Sequence, residues 1–352
     1  MLLFRKPQCL LVSLLMLLGL IAVAAVVLWG AKQTAGAAVR CITQTVYVRH
    51  PDYLSPENLT GNKPVVHKLF KGLSSIDFTF GILPDTQFYS RSHPDIFMDM
   101  NRWFVDNRQD LHLKYIFHLG DIVNNYNQLY QWKAADRAMR ILDQAHMPYG
   151  IISGNHDIGQ QNDYRFYDRF FGEDRYRWNP WYGGSYENNK GHFDLINVDR
   201  KKYIMLAMGW KIGSEEVKWL NNVLRTYRDR TAILYVHDYL DGDGHRTLQG
   251  DALFHQVVQP NSNVRIVLNG HRYGAARRID RLDDNMDGHA DRTVLQMLSD
   301  YQSVKGGQGY LRLIGFDLRH GRIYVRTFSP EVGRTHVFKK NNENFSLQFQ
   351  MN

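Results

Sequence analysis

The chain has 352 residues, 44% of them hydrophobic and 22% charged, the balance of an ordinary globular protein and not of a disordered one. That length accommodates one large α/β domain or two modest ones. A formal charge of +8 is spread without a run of five or six like charges, so it gives a nucleic-acid partner only weak support, and attraction to anionic substrates or envelope polymers is the milder reading.

In chain order the first feature is MLLFRKPQ followed by CLLVSLLMLLGLIAVAAVVLW, 21 uncharged residues from Cys9 to Trp29. About 20 apolar residues span the hydrocarbon layer of a bilayer. Residues 9–30 are therefore expected to be a transmembrane anchor and residues 1–8 a short cytoplasmic tail. Arg5 and Lys6 before the span, against Lys32 alone just after it, put the amino terminus inside and the remainder outside. The alternative is a cleaved signal, with the small residues from Ala35 to Ala38 as its processing site and a secreted product. Either reading exports the bulk of the chain. The two cysteines, Cys9 in the span and Cys41 just past it, leave the exported part without an internal disulfide, so it must rely on a large core.

Residues 31–75 lack regular periodicity and are expected to form a stalk or N-terminal extension. From residue 76 strand and helix patterns alternate. FTFGIL (78–83) leads into PDTQ, YIFHL (115–119) into GDIVNN, and YGIIS (149–153) into GNHD, with helical spacing in HPDIFMDMNRWFVDNRQ and QLYQWKAADRAMRILDQA between them. HFDLINV and KYIMLAMGW read as paired strands and SEEVKWLNNVLRTY as a helix. AILYVHDY and RIVLNGHRYG are two more apolar strands with polar tips. GAARRIDRL, RTVLQML, GYLRLIGFDL and GRIYVRTFS read as a β meander closing the domain near residue 335, with 336–352 as a C-terminal tail.

Five strand tips thus carry Asp85 and Gln87; Asp121; Asn155, His156 and Asp157; His237; and His271. Ligands of open α/β sheets sit outside the carboxyl ends of the strands, so these tips should converge on one site. Carboxylates, imidazoles and amide oxygens are ligands for zinc, manganese and iron, and several buried carboxylates in one pocket require a cation. Taken singly, each histidine or asparagine reads better as a core or capping group. His118, one residue ahead of its motif, keeps that reading, as do Trp132, Met139 and Leu142 on their helix.

The order and spacing of these tips resemble the calcineurin-like metallophosphoesterases, whose motifs run D-x-H, G-D-x, G-N-H-[DE], a separate His, and G-H-x-H. The resemblance covers roughly residues 78–330. It implies a four-layer α/β/β/α sandwich over 76–335 that hydrolyses phosphate mono- or diesters with a metal-bound hydroxide, here expected behind an N-terminal transmembrane helix and facing outward from the cell membrane. It implies two ions, manganese, iron or zinc, bridged by Asp121, with Asp85 and Gln87 at the first and Asn155, His237 and His271 at the second. His156 is implied to protonate or stabilise the leaving oxygen without ligating, with Asp157 orienting it.

Two positions depart from the pattern. Gln87 stands where the first motif has histidine, and Tyr273 where the last motif has its second histidine. A phenol has a pKa near 10 and ligates well only when an ion such as ferric iron deprotonates it. The sequence leaves open a ferric tyrosinate site, a weak exchangeable first ion, or a one-metal or inactive remnant. His245 or His289 could supply a replacement ligand from a loop. The alternative function is a catalytically weakened relative that binds phosphorylated envelope polymer or lipid.

Three further stretches carry candidate roles. In DDNMDGHADR, Asp283, Asn285, Asp287 and Asp291 match most of a calcium loop, but Val294 takes the place of its bidentate glutamate, so a structural calcium competes with a solvated acidic hairpin. LDGDGHR, with Asp241, Asp243 and His245, reads as a flexible loop. RYRWNPWYGGSYENN offers Trp178, Trp181, Tyr182 and Tyr186 as a substrate loop for a base, sugar or acyl chain, or as an aromatic plug. The substrate expected is a phosphorylated small molecule, lipid or envelope polymer.

Overall fold

The structure of the protein, a computed structural model, describes residues 69, 76–198, 200–335, 337–338 and 342–349. β1 (Phe78–Leu83) is followed by α1 (Gln87–Ser92), α2 (Pro94–Asp106), β2 (Leu113–His118), α3 (Leu129–Gln144) and β3 (Tyr149–Ile151). Then come α4 (Arg165–Phe171), β4 (Tyr182–Tyr186), β5 (Gly191–Val198), β6 (Lys201–Met208), α5 (Ser214–Thr226), β7 (Thr231–Val236), α6 (Leu248–Leu253) and β8 (Val264–Asn269). Strands β9 (Gly274–Leu282), β10 (Arg292–Asp300), β11 (Leu311–Asp317), β12 (Arg322–Phe328) and β13 (Phe345–Gln348) follow.

Two sheets result, in the orders β13-β12-β11-β1-β2-β3 and β4-β5-β6-β7-β8-β10-β9. Their inner faces meet in one core. Phe78, Phe80 and Ile82 of β1 pack there with Tyr203, Met205 and Ala207 of β6 and with Ile233 and Tyr235 of β7. The alternate residues of β6, Ile204, Leu206 and Met208, point the other way and meet Leu220, Val223 and Leu224 of α5. Strands covered on both faces read as unbroken apolar runs, which is why these segments lack a period of two.

On the outer face of the first sheet, α2 opens with Pro94 in its first turn, where a missing N–H costs nothing. Its Ile96, Phe97, Met100, Trp103 and Phe104 are buried at helical spacing. The Trp103 ring lies 5.2 Å from Phe328 of β12, and Asn101 Nδ2 donates to the Ala138 carbonyl of α3 at 2.9 Å. Trp132, Met139 and Leu142 of α3 are fully buried. Helices thus cover both outer faces of a paired-sheet sandwich.

Three expectations are corrected. The longest described helix that is amphipathic, α3, has 16 residues, about 24 Å at 1.5 Å per residue, short of a hydrocarbon layer of about 30 Å. Among the described residues no helix is long and apolar enough to cross a membrane. The segment from Cys9 to Trp29, the tail 1–8 and all of 31–75 except Leu69, 76 excluded, lie outside the described residues. The fold class is therefore corrected to an α/β sandwich domain, with no transmembrane helix among the described residues. The membrane-anchored function, the single-pass outward-facing localisation and the membrane partner are withdrawn with it.

The second correction concerns the meander. β9 and β10 form a hairpin in one sheet while β11 and β12 belong to the other, and β10 also runs parallel to β8. Thirdly, within the stretch set apart as a C-terminal tail, Phe345–Gln348 pairs with β12, and Phe345 and Phe349 join the core between the sheets.

Candidate metal centre

Asp121 follows β2 by way of Leu119 and Gly120 and sits in left-handed backbone at φ 51°. Its Oδ1 lies 3.3 Å from Nε2 of the fully buried His237. One ligand atom each from Asp121, His237 and His271 fall within 4.8 Å of one another. His237 donates Nδ1–H to the Leu119 carbonyl at 2.7 Å, which turns Nε2 toward Asp121 and toward Asn155 Oδ1 at 3.2 Å. A second-sphere carbonyl that fixes the tautomer is the usual support of a metal-binding imidazole. His271 also has a positive φ, 69°. Non-glycine residues in this region carry strain and cluster at functional sites.

Burial opposes charge on His237, yet the neighbouring Asp121 raises its pKa above the ordinary value. Burial and then the charge of His237 pull His271 down to about 4, which leaves a neutral imidazole with a lone pair to offer. The indole of Trp210 roofs the pair, its ring 5.7 Å from His237 and 5.1 Å from His271.

The other half of the centre is made of oxygen. Asp85, after β1, accepts the His271 backbone N–H on Oδ2 at 3.0 Å, while its buried Oδ1 has no partner. Gln87 is buried, and its Oε1 accepts Gln302 Nε2 at 2.5 Å. Asp300 closes β10 beside them. Burial, then the charge of Asp300, then that of Asp121 hold the Asp85 carboxyl well above the usual carboxylate range. Burial likewise pushes Asp300 up to about 7. Such a crowd of carboxylates with unpartnered oxygens fits a cation.

The glycines of the motifs have a steric reason. A Cβ on Gly154 would lie 2.1 Å from Asp121 Oδ1, and one on Gly270 would lie 2.1 Å from Asp85 Oδ1. Each glycine lets one loop's backbone press against another loop's ligand.

His156 is half-buried; its backbone N–H donates to Asp121 Oδ1 at 3.0 Å and its Nδ1–H to the Asn124 carbonyl at 2.8 Å. The Asp157 carboxylate instead accepts three backbone N–H groups, from Gly154 at 2.7 Å, Val123 at 2.9 Å and Ile122 at 3.0 Å. Asp157 thus staples the second and third motif loops together, and the group that holds the His156 ring is Asn124.

Other candidates stand apart. Tyr273 is 58% exposed, and partial burial with the charges of Asp300 and Asp85 raises its pKa, away from a tyrosinate. His245 and His289 are exposed loop residues. Asp241 Oδ1 accepts the backbone N–H groups of Asp243 and His245, each at 3.0 Å. Asp283, Asn285, Asp287 and Asp291 are exposed and closed on one another and on the loop backbone, as in Gly288 N–H to Asp283 Oδ2 at 2.7 Å. Trp181 lines a cleft of about 590 Å³ with Arg108, His112, Lys114 and Pro148. That cleft adjoins the start of β2, the end opposite Asp121. Trp178 is exposed, Tyr182 half-buried, and Tyr186 donates to Glu216 Oε1 at 3.2 Å.

Sequence reasoning missed Asn124, Trp210, Asp300 and Gln302. For Asp300 the signal was present. RTVLQML running into SDYQ is an apolar strand ending in a carboxylate and an amide, but as part of a meander its tip had no reason to reach the site.

Comparisons with known proteins agree with this geometry. A family model described as calcineurin-like phosphoesterase matches residues 78–273. The uncharacterized protein YvnB of Bacillus subtilis (strain 168) is 45% identical over 280 residues, which make up 78% of this chain and 22% of that protein, so the chain spans under a quarter of its relative. A dimetal phosphatase from Danio rerio superposes with a TM-score of 0.52 at 12% identity, covering 78% of this chain and 100% of that one, a likeness of fold. With its family match over more than half its length and the Asp121, His237 and His271 cluster in place, the chain belongs to the calcineurin-like phosphoesterases.

Proposed function

We propose that the chain hydrolyses phosphate mono- or diesters at the strand-tip centre, using two metal ions. His237, His271, Asn155 and Asp121 would hold one; Asp121, Asp85 and Gln87 would contribute to the other. The observation that carries this reading is the meeting of Asp121 and two neutralisable imidazoles within 4.8 Å beside a half-buried His156 that is not one of the three. Ions bound there would supply the Lewis acidity that polarises a phosphoryl group and makes water acidic enough to attack it near neutral pH.

The chain's own residues do the rest. Asn124 takes the Nδ1–H of His156, so Nε2 is the nitrogen that, in the imidazolium form, would give its proton to the departing oxygen and be left with a lone pair. Asp157, spent on three amides, keeps the two loops that bear Asp121 and His156 at fixed separation. Arg272, about half exposed next to His271 and with Nε 3.5 Å from Asp238 Oδ1, would offer a cation to an anionic ester.

Phosphate release from an aryl phosphate monoester and diester tests the reading, on metal-stripped protein with and without added manganese. Turnover should require the metal, and Asp121→Asn should lower it by more than about 10² while reducing bound metal. Hydrolysis by metal-free protein, or an Asp121→Asn variant at the wild-type rate, would overturn it.

A further inference from the structure

Where Gln87 and Tyr273 leave the first metal position short of imidazole, the fold brings in another strand. β10 runs parallel to β8, with Leu298 opposite Asn269, and antiparallel to β9, with Asp300 opposite Gly274. This register sets Asp300 one strand away from His271 and beside the residue that follows Tyr273. Asp300 is fully buried. Its Oδ1 accepts the Gln302 backbone N–H at 3.0 Å, and its Oδ2 has no hydrogen-bond partner.

Two more buried oxygens in the same half of the centre, Asp85 Oδ1 and Gln302 Oε1, are likewise unpartnered. Gln302 meanwhile holds Gln87 through its amide N–H. Leaving a buried carboxylate oxygen unpaired is costly in general, and two such oxygens, on side chains close enough for the charge of Asp300 to act on Asp85, mark a place for a cation.

We propose that Asp300 is the ligand that takes the place of the missing imidazole, so that Asp85, Gln87, Asp121 and Asp300 form an all-oxygen site for a hard divalent ion such as manganese or magnesium. Gln302 is a positioning residue that steadies Gln87. Carboxylate and carbonyl donors favour magnesium, calcium and manganese, whereas imidazoles favour zinc and iron. The two halves of the centre therefore differ in metal preference: zinc fills the His237 and His271 half, and manganese exchanges in the oxygen half. Tyr273 has no part in it. This assignment rests on the two-ion reading given above.

The test is direct titration of metal-stripped full-length protein with manganese, followed by the electron paramagnetic resonance of free ion. Wild type should bind two ions, with zinc displacing one of them. Asp300→Asn should weaken one manganese site by about 10-fold to 100-fold or more and leave the zinc-displaceable one intact, while Tyr273→Phe changes neither. The metal-free Asp300→Asn protein should melt at or above the wild-type temperature, because an uncompensated buried charge has gone.

Unchanged manganese binding in Asp300→Asn, or loss of an ion in Tyr273→Phe, would overturn the proposal. So would a metal-free Asp300→Asn that melts far below wild type, since Asp300 would then be a structural group. Hydrolysis is read on the same samples. Wild type that binds two ions, loses one in Asp300→Asn and cleaves no ester would retire the phosphoesterase reading and leave this ligand assignment standing.

Discussion

Replacing Gly154 by alanine adds one methyl group at the tightest point of the centre. The new Cβ would lie 2.1 Å from Asp121 Oδ1, 2.4 Å from the Asp121 backbone nitrogen and 2.7 Å from His237 Cε1, where ordinary contact begins at 3.4 Å. None of the three can step aside cheaply. Asp121 Oδ1 is bound by the His156 N–H, its nitrogen is main chain, and the His237 ring is tied to the Leu119 carbonyl. The third-motif loop must therefore retreat by about 1 Å from Asp121. Overpacking of this kind costs roughly 1–3 kcal/mol, and a displacement of about 1 Å between reacting groups costs up to about 10² in rate. Turnover of an aryl phosphate at saturating manganese, metal content and the melting temperature measure the effect. Gly213→Ala is the control, since its Cβ would meet only the end of the Glu216 side chain, at 3.2 Å. Wild-type turnover and metal content in Gly154→Ala would refute the argument that close loop contact sets this geometry.

Two further outcomes are expected. His156→Ala should keep its metal while losing about 10²–10⁴ in turnover, less for esters with acidic leaving groups; loss of metal, or equal loss for every leaving group, contradicts the proton-donor role. Away from the centre, burial pushes Asp194 up to about 8 and pulls His192 down to about 3. Between about pH 4 and 6.5 the unfolded chain holds one proton on this pair, on histidine, and the folded protein holds one, on Asp194, so their opposite contributions cancel. From about 6.5 to 8 only the folded protein keeps its proton, so stability falls with rising pH, by up to about 1.4 kcal/mol per unit. Melting curves of Asp194→Asn should lack this fall; an unchanged slope would show that the fall, if present, arises elsewhere.

The strand-tip residues Asp85, Asp121, Asn155, His237 and His271 were legible because each closes an apolar run, and chain direction alone puts parallel strand ends on one side of a sheet. β10 was not legible in this way. Its neighbour in sequence, β9, pairs with it antiparallel, and nothing local says that it will also lie parallel to β8. The roles within GNHD were only half legible for a similar reason. Histidine beside aspartate suggests a pair, but the turn points Asp157 at amides donated by a loop some thirty residues earlier, and His156 at a carbonyl from that same loop. The aromatic segment was read from composition, which says that aromatics are at a loop but not at which end of the strands; Trp181 lies at the end away from Asp121.

Hydrogen bonding divides the polar residues of the centre into those that build it and those left to act. Asp157 is used up on three backbone donors, and His118 on the Thr86 hydroxyl at 2.9 Å and the Gly120 N–H at 3.2 Å. The Thr86 N–H to Asp121 carbonyl bond at 3.0 Å ties the first loop to the second. These groups form a scaffold whose polar atoms already have partners within the protein. Asp85 Oδ1, Asp300 Oδ2 and Gln302 Oε1 have none, though all are buried. An unsatisfied buried oxygen calls for an explanation, of which a bound ion is one, and these three lie in the half of the centre where the motif pattern is short of imidazole. The departures at Gln87 and Tyr273 thus fit the ligand assignment proposed above, in which an oxygen donor at the end of β10 stands in for a nitrogen donor.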